Sequence, residues 1–175
     1  PWGPYTPKSR MRILAKETDF IRPPVAQATS GTVDLVRLRS SLLAQPSRID
    51  HIDEAGVRLP EEQPLVAASV LFPIVLREEP TVLLTQRTEH LRDHPGQISF
   101  PGGRVEKEDV SPEHTALREA QEEIGLSPRH VEIIGFLPEY RTVTGYRITP
   151  VVAFLTPPFE VRPDPSEVAE VFEVP

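Results

Sequence analysis

The chain has 175 residues, a length that fits one domain whose core can bury most of its apolar surface. Hydrophobic residues make up 38% and charged residues 26%, which excludes a disordered composition. The net charge of −7 argues against a dominant sequence-independent role on nucleic acid, because phosphate binding needs a basic face. The longest apolar run, Leu65 to Leu76, is broken by Ser69 and Pro73 and is too short to span a bilayer, so no membrane partner is expected. Zero cysteines exclude a disulfide framework, a thiolate metal site and a thiol nucleophile. No secretory signal is read at the amino end, and a cytoplasmic location is the expectation; an address signal beyond the visible ends stays open.

Residues 1–30 carry Pro1, Pro4, Pro7, Pro23 and Pro24 with little periodicity, which predicts an extended arm or irregular lead-in. Val33, Leu35, Val36, Leu38, Leu42 and Leu43 predict a helix over Thr32 to Leu43. Gln45 to Gln63 is polar, holds Pro46, Gly56 and Pro60, and reads as a linker. Residues 1–60 are thus expected to pack as arm, helix and linker on a domain spanning 61–175. The residues before Thr32 could also cross to a partner subunit, so a homodimer is left open.

Leu65 to Leu76 and Thr81 to Thr85 predict two strands joined by a turn at Glu78-Glu79-Pro80. Gln97 to Phe100 reads as a short strand leading into Pro101-Gly102-Gly103. Ser111 to Ile124 carries the clearest helix signals. Ser111 is a good N-cap, Pro112 suits the first helical position, Glu113 favours the positive end of the dipole, and Gly125 is placed to end the helix in the left-handed conformation. Strands follow at Val131–Leu137 and Ile148–Leu155, and Glu167 to Phe172 predicts the start of a further helix. The expected class is a mixed α/β domain.

Chemistry concentrates in Arg118-Glu119-Ala120-Gln121-Glu122-Glu123-Ile124-Gly125. At roughly 100° per residue, Glu119, Glu122 and Glu123 project on one face, while Leu117, Ala120 and Ile124 form an apolar stripe. Three like charges on one face repel, at roughly 0.2–0.5 kcal/mol per pair, and a cation offsets this directly. Hard divalent ions prefer oxygen ligands, so Glu119, Glu122 and Glu123 are the candidate metal ligands. Arg118, one turn before Glu122, is placed to hold that carboxylate by an i,i+4 pair. Most surface glutamates are merely solvated, and the paired glycines Gly102-Gly103 just upstream, where backbone bends sharply or approaches a ligand, weigh against that reading here.

Together these residues resemble the Nudix box, a pattern of Gly, five residues, Glu, seven residues, Arg-Glu, two residues, Glu-Glu, one residue and Gly. Here Gly103 leads after five residues to Asp109, then after eight to Arg118-Glu119-Ala120-Gln121-Glu122-Glu123-Ile124-Gly125-Leu126. Asp109 stands in place of the first Glu, and one extra residue precedes Arg118. Arg-Glu-x-x-Glu-Glu-x-Gly alone should arise by chance in roughly one in ten thousand chains of this length. Directly upstream, Leu83-Leu84-Thr85-Gln86-Arg87-Thr88 through Arg92, Gly96 and Phe100-Pro101-Gly102-Gly103 is similar to the signature of Nudix enzymes acting on coenzyme A, with Thr88 where Ser or Ala is usual.

The resemblance implies a Nudix-type α/β/α sandwich with a mixed β-sheet. It also implies Mg²⁺ or Mn²⁺ as cofactor, and hydrolysis of coenzyme A or an acyl-CoA to 3′,5′-ADP and 4′-phosphopantetheine or its acyl form. Glu119, Glu122 and Arg118 are then the candidate catalytic residues. Arg87, Arg92, Gly102 and Gly103 are candidates for holding the small-molecule substrate. Residue chemistry alone does not choose coenzyme A over ADP-ribose or another nucleoside diphosphate derivative, and a non-catalytic nucleotide-binding regulator is a third reading. The base is Glu119 or the late acid Glu167, which residue types do not rank. Arg141-Thr142-Val143-Thr144-Gly145-Tyr146 offers cation, hydroxyls and ring at a hairpin, either lining the substrate mouth or serving as a plain turn.

Overall fold

Val66–Val75 (β3) reads as a near-continuous apolar run because it lies in the middle of a sheet and is covered on both faces. The computed structural model describes residues 11–12, 34–53, 64–91, 94–142 and 144–175. A tight turn joins β3 to Thr81–Arg87 (β4), which pairs with it antiparallel. On its other edge β3 pairs in parallel with Tyr146–Leu155 (β9) along all ten residues, from Val66 opposite Tyr146 to Val75 opposite Leu155. The sheet is therefore mixed.

The remaining strands extend this pair. In chain order they are Met11–Arg12 (β1), Arg48–Asp53 (β2), Ile98–Ser99 (β5), Gly102–Arg104 (β6), Val131–Phe136 (β7), Glu139–Arg141 (β8) and Val168–Val174 (β10). The path across the sheet is β1-β10-β4-β3-β9-β8-β2, with β5 on β4, β6 on β3 and β7 on β9.

Alternation along β3 divides the core. Leu71 and Val75 face Pro112–Ile124 (α2), where they pack with Leu83, Val151, Ala153, Leu155 and the helix residues Ala116, Ala120 and Ile124. Ile74, with Val152 and Phe154, faces the opposite way against Leu35, Leu38 and Leu42 of and beside the short helix Leu35–Ser41 (α1). A helix on each side of a mixed sheet gives the α/β/α sandwich. Ala116 rather than Leu117 heads the buried stripe of α2, because positions four apart stack most directly beneath one another.

Three expectations need correction. The first helix begins at Leu35, capped by the Asp34 carboxylate accepting from the Arg37 amide at 3.0 Å; Thr32 and Val33 lie outside the described residues. The predicted linker contains a strand, β2, pairing in parallel with β8 at the sheet edge. Its sequence, Arg-Ile-Asp-His-Ile-Asp, is polar as edge strands often are, and that polarity hid it.

Glu167 to Phe172 forms no helix. Val168 and Val171 sit three apart like one helical face, yet both reach the α2 side of the core from an extended strand. A bulge between Val168 and Glu170 supplies the extra residue that shifts the alternation. Phe172, 1% exposed, closes this strand against β4. Phe172→Ala is expected to cost about 3–5 kcal/mol in urea unfolding, as for other large core aromatics; a loss below about 1 kcal/mol would refute the strand packing.

Candidate active site

The helix α2 starts and stops as its sequence dictates. The Ser111 hydroxyl accepts from the His114 amide at 3.2 Å, Pro112 opens the first turn, and Gly125 takes φ 65° while its amide donates to Gln121 at 3.0 Å. The loop from β6 to α2 folds back along the helix. It carries Asp109 under the guanidinium of Arg118.

That guanidinium is the hub of the site. Arg118 Nε and Nη2 donate to the two Asp109 oxygens at 3.1 and 2.9 Å, a bidentate pair. Nη2 also donates to the Arg104 carbonyl at 3.0 Å, and Nη1 donates at 3.0 Å to both Glu119 and Glu122. The expected link from Arg118 to Glu122 is present, but it is one strand of a larger web. Asp109, with a side chain entirely shielded from solvent, also accepts from the Thr115 hydroxyl at 2.9 Å and the Glu106 amide at 2.8 Å. The Arg118 guanidinium first, and these donors with it, hold the Asp109 carboxyl well below the usual carboxylate range. Sequence reading left Asp109 without a role; its position in the box pattern was the signal.

The three glutamates meet different surroundings. Glu122 is the outermost, with 60% of its side chain exposed against 7% for Glu123. Glu123 turns inward, where its Oε2 accepts from the Gly102 amide at 3.0 Å and its Oε1 lies 4.0 Å from Arg87 Nη1. Glu119 faces the same loop, and a Cβ on Gly103 would occupy the space of its carboxylate. Gly102 in turn lies so close to the β3 backbone at Ser69 and Val70 that no side chain fits.

Burial is the largest cause that pushes the Glu123 carboxyl up to about 7; Glu119 and Glu167 add to it, and the Gly102 amide and Arg87 oppose it. Burial also raises Glu119, against the pull of Arg118 and with further push from Glu122 and Glu167. The carboxylates thus share one field. Among the described residues no three acids or histidines come close enough together to hold a metal ion as they stand. Their all-oxygen character and mutual repulsion suit a hard divalent ion.

Glu167 stands exposed at the turn before β10. Its turn is tied to the site from two sides, by the Asp164 amide donating to the Glu123 carbonyl at 2.8 Å and by the Thr88 amide donating to the Glu167 carbonyl at 2.9 Å. Arg87 keeps a buried Nε that has no hydrogen-bond partner among the described residues. Arg92 lies outside the described residues.

The model of the NUDIX domain family matches residues 66–175. The chain belongs to this family. The uncharacterized Nudix hydrolase NudL of Enterobacter sp. (strain 638) is 51% identical over 108 residues, 62% of this chain and 56% of the relative. Its counterpart in Escherichia coli (strain K12) is 52% identical over the same shares. The chain spans about half the length of these curated relatives. Among solved structures, the Nudix hydrolase RenU from M. smegmatis is similar with a TM-score of 0.53 at 24% identity, covering 70% of this chain and 76% of that one. A Nudix hydrolase from Nitrosomonas europaea gives 0.52 at 22%, covering 67% and 61%. These likenesses agree on the fold; the residues that resemble the Nudix box are the loop carrying Asp109, here the Nudix loop, and α2, here the Nudix helix.

The depressed Asp109 carboxyl makes its pair with Arg118 a source of stability above the unfolded carboxylate value, about 3.9, that is lost as pH falls through the folded value. Asp109→Ala should cost about 3 kcal/mol in urea unfolding at pH 7, near the low end for breaking a buried pair. Asp109→Asn should flatten the loss of stability that the parent shows below about pH 4; an unchanged acid limb would contradict this assignment.

Proposed function

We propose that the chain is a metal-dependent Nudix pyrophosphatase that splits coenzyme A or an acyl-CoA into 3′,5′-ADP and 4′-phosphopantetheine or its acyl form. One observation carries the reading. Arg87 and Gly102, from the two halves of the segment similar to the coenzyme A signature, converge on Glu123, the innermost carboxylate of α2, and Gly103 lies against Glu119.

Glu119, Glu122 and Glu123 would hold Mg²⁺ or Mn²⁺. Such an ion, when bound, neutralises charge on phosphoryl oxygens and makes water a better nucleophile near neutral pH. Arg118 positions Glu119 and Glu122, and Asp109 positions Arg118. Arg87, whose side chain is partly exposed beside Glu123, meets an oxygen of the diphosphate, and the backbone at Gly102-Gly103 lets that diphosphate approach closely. A water attacks one phosphorus in line, its proton passes to a carboxylate, and the bridging P–O bond breaks, leaving one phosphate on each product. Glu167 is the better base. Its side chain has no hydrogen bond or ion pair among the described residues, whereas Glu119 is engaged by Arg118.

Turnover of coenzyme A, dephospho-coenzyme A and ADP-ribose with Mg²⁺, followed by product analysis with EDTA as control, tests this. Coenzyme A should give 3′,5′-ADP, and chelation should abolish it. Glu122→Gln and Glu123→Gln, each alone, should lower kcat by about 100-fold or more while the fold persists. Turnover of ADP-ribose with none of coenzyme A would replace the substrate reading, and full activity in both variants would end the metal-site reading.

A further inference from the structure

We infer that Arg141 and Arg147 form a second anion subsite, one that takes a phosphomonoester on the nucleotide half of the substrate. The inference deepens the coenzyme A reading above and rests on it for the identity of that phosphate.

The placement follows from strand register. Gly103, whose missing Cβ points at Glu119, pairs with Ser69 on β3, and Ser69 pairs with Thr149 on β9. Side chains in register share a sheet face, so this row leads away from the carboxylates across the α2 side. The Thr149 hydroxyl donates to Glu139 Oε1 on β8 at 2.9 Å, and Ser69 Oγ donates to the Thr149 carbonyl at 3.0 Å. Arg147 lies two residues before Thr149 on the same face, and Arg141 is its direct partner across β8 and β9. From the Gly103 backbone to that of Arg147 is two strand spacings across and two residues along β9, roughly 12 Å. A nucleoside diphosphate gripped at Gly103 and bearing another phosphate on its ribose spans that gap.

The charges there are not settled within the fold. Two arginines directly opposite each other on antiparallel strands repel. Arg147 reaches Glu139 only at 4.0 Å, and Glu139 is already engaged by Thr149. Arg141 has no hydrogen bond or ion pair among the described residues. On β2 the backbone register sets Arg48 beside Glu139 and Asp53 beside Arg141. Paired guanidiniums with unused donors match the oxygens of a phosphate dianion, which takes two forked contacts better than one point charge.

Calorimetric titration of the metal-free chain with 3′,5′-ADP, 5′-ADP and 5′-AMP tests the subsite without any turnover. The chain should bind 3′,5′-ADP at least about tenfold more tightly than 5′-AMP, and more tightly than 5′-ADP, which has the same added phosphate in the wrong place. Arg141→Gln and Arg147→Gln should each shrink the 3′,5′-ADP advantage to below about threefold with an unaltered Tm. Arg104→Gln, which removes a positive charge from the opposite sheet face, should keep the full ratio. Equal binding of 3′,5′-ADP and 5′-AMP by the parent, or the same loss in Arg104→Gln, overturns the subsite. A chain that prefers 3′,5′-ADP through Arg141 but leaves coenzyme A intact keeps the subsite and loses the pyrophosphatase reading.

Discussion

The guanidinium of Arg118 is the constraint on which the site depends. It donates to Asp109, Glu119, Glu122 and the Arg104 carbonyl, and so ties the Nudix loop to the Nudix helix. Without it, two neighbouring carboxylates would be free to swing into water, and the loop carrying Asp109 would lose its brace. A planar group with five donors suits this task, where a lysine offers one point of charge. The shielding of Asp109 gives the anchor its strength, since the bidentate bond forms away from solvent.

The sheet supplies the rest of the geometry. Because β3 pairs with β6 along one half and with β9 along its full length, Gly102-Gly103 and the start of β9 lie on one continuous surface. The end of α2 also reaches the last loop, through the Asp164 amide on the Glu123 carbonyl and the Arg162 amide on the Ile124 carbonyl. The turn bearing Glu167 is thereby fixed relative to Glu123 through backbone bonds.

Much of this was legible in the residues, for identifiable reasons. Ser111, Pro112 and Gly125 act locally, so the bounds of α2 followed from them directly. The central strands β3, β4 and β9 announced themselves by apolar runs. The strand β2 did not, because it is polar and among the described residues it pairs with β8, about ninety residues away in sequence. The strand β10 imitated a helix, because a bulge put Val168 and Val171 on one face. Helical geometry brought Glu119, Glu122 and Glu123 to one side, but it could not reveal that a Gly102 amide would draw Glu123 inward. The tasks of Asp109 and of the Arg141–Arg147 pair depend on loop return and strand register, which no local pattern encodes.

The central claim is that Arg118 holds the carboxylates ready for a divalent ion, and Mn²⁺ binding reads it most directly. Titrating the chain with Mn²⁺ and following free ion by electron paramagnetic resonance compares the parent with Arg118→Lys. Loss of such a positioning partner should weaken Mn²⁺ affinity by about 10–100-fold while the chain stays folded. Equal affinity in the two proteins would contradict the account.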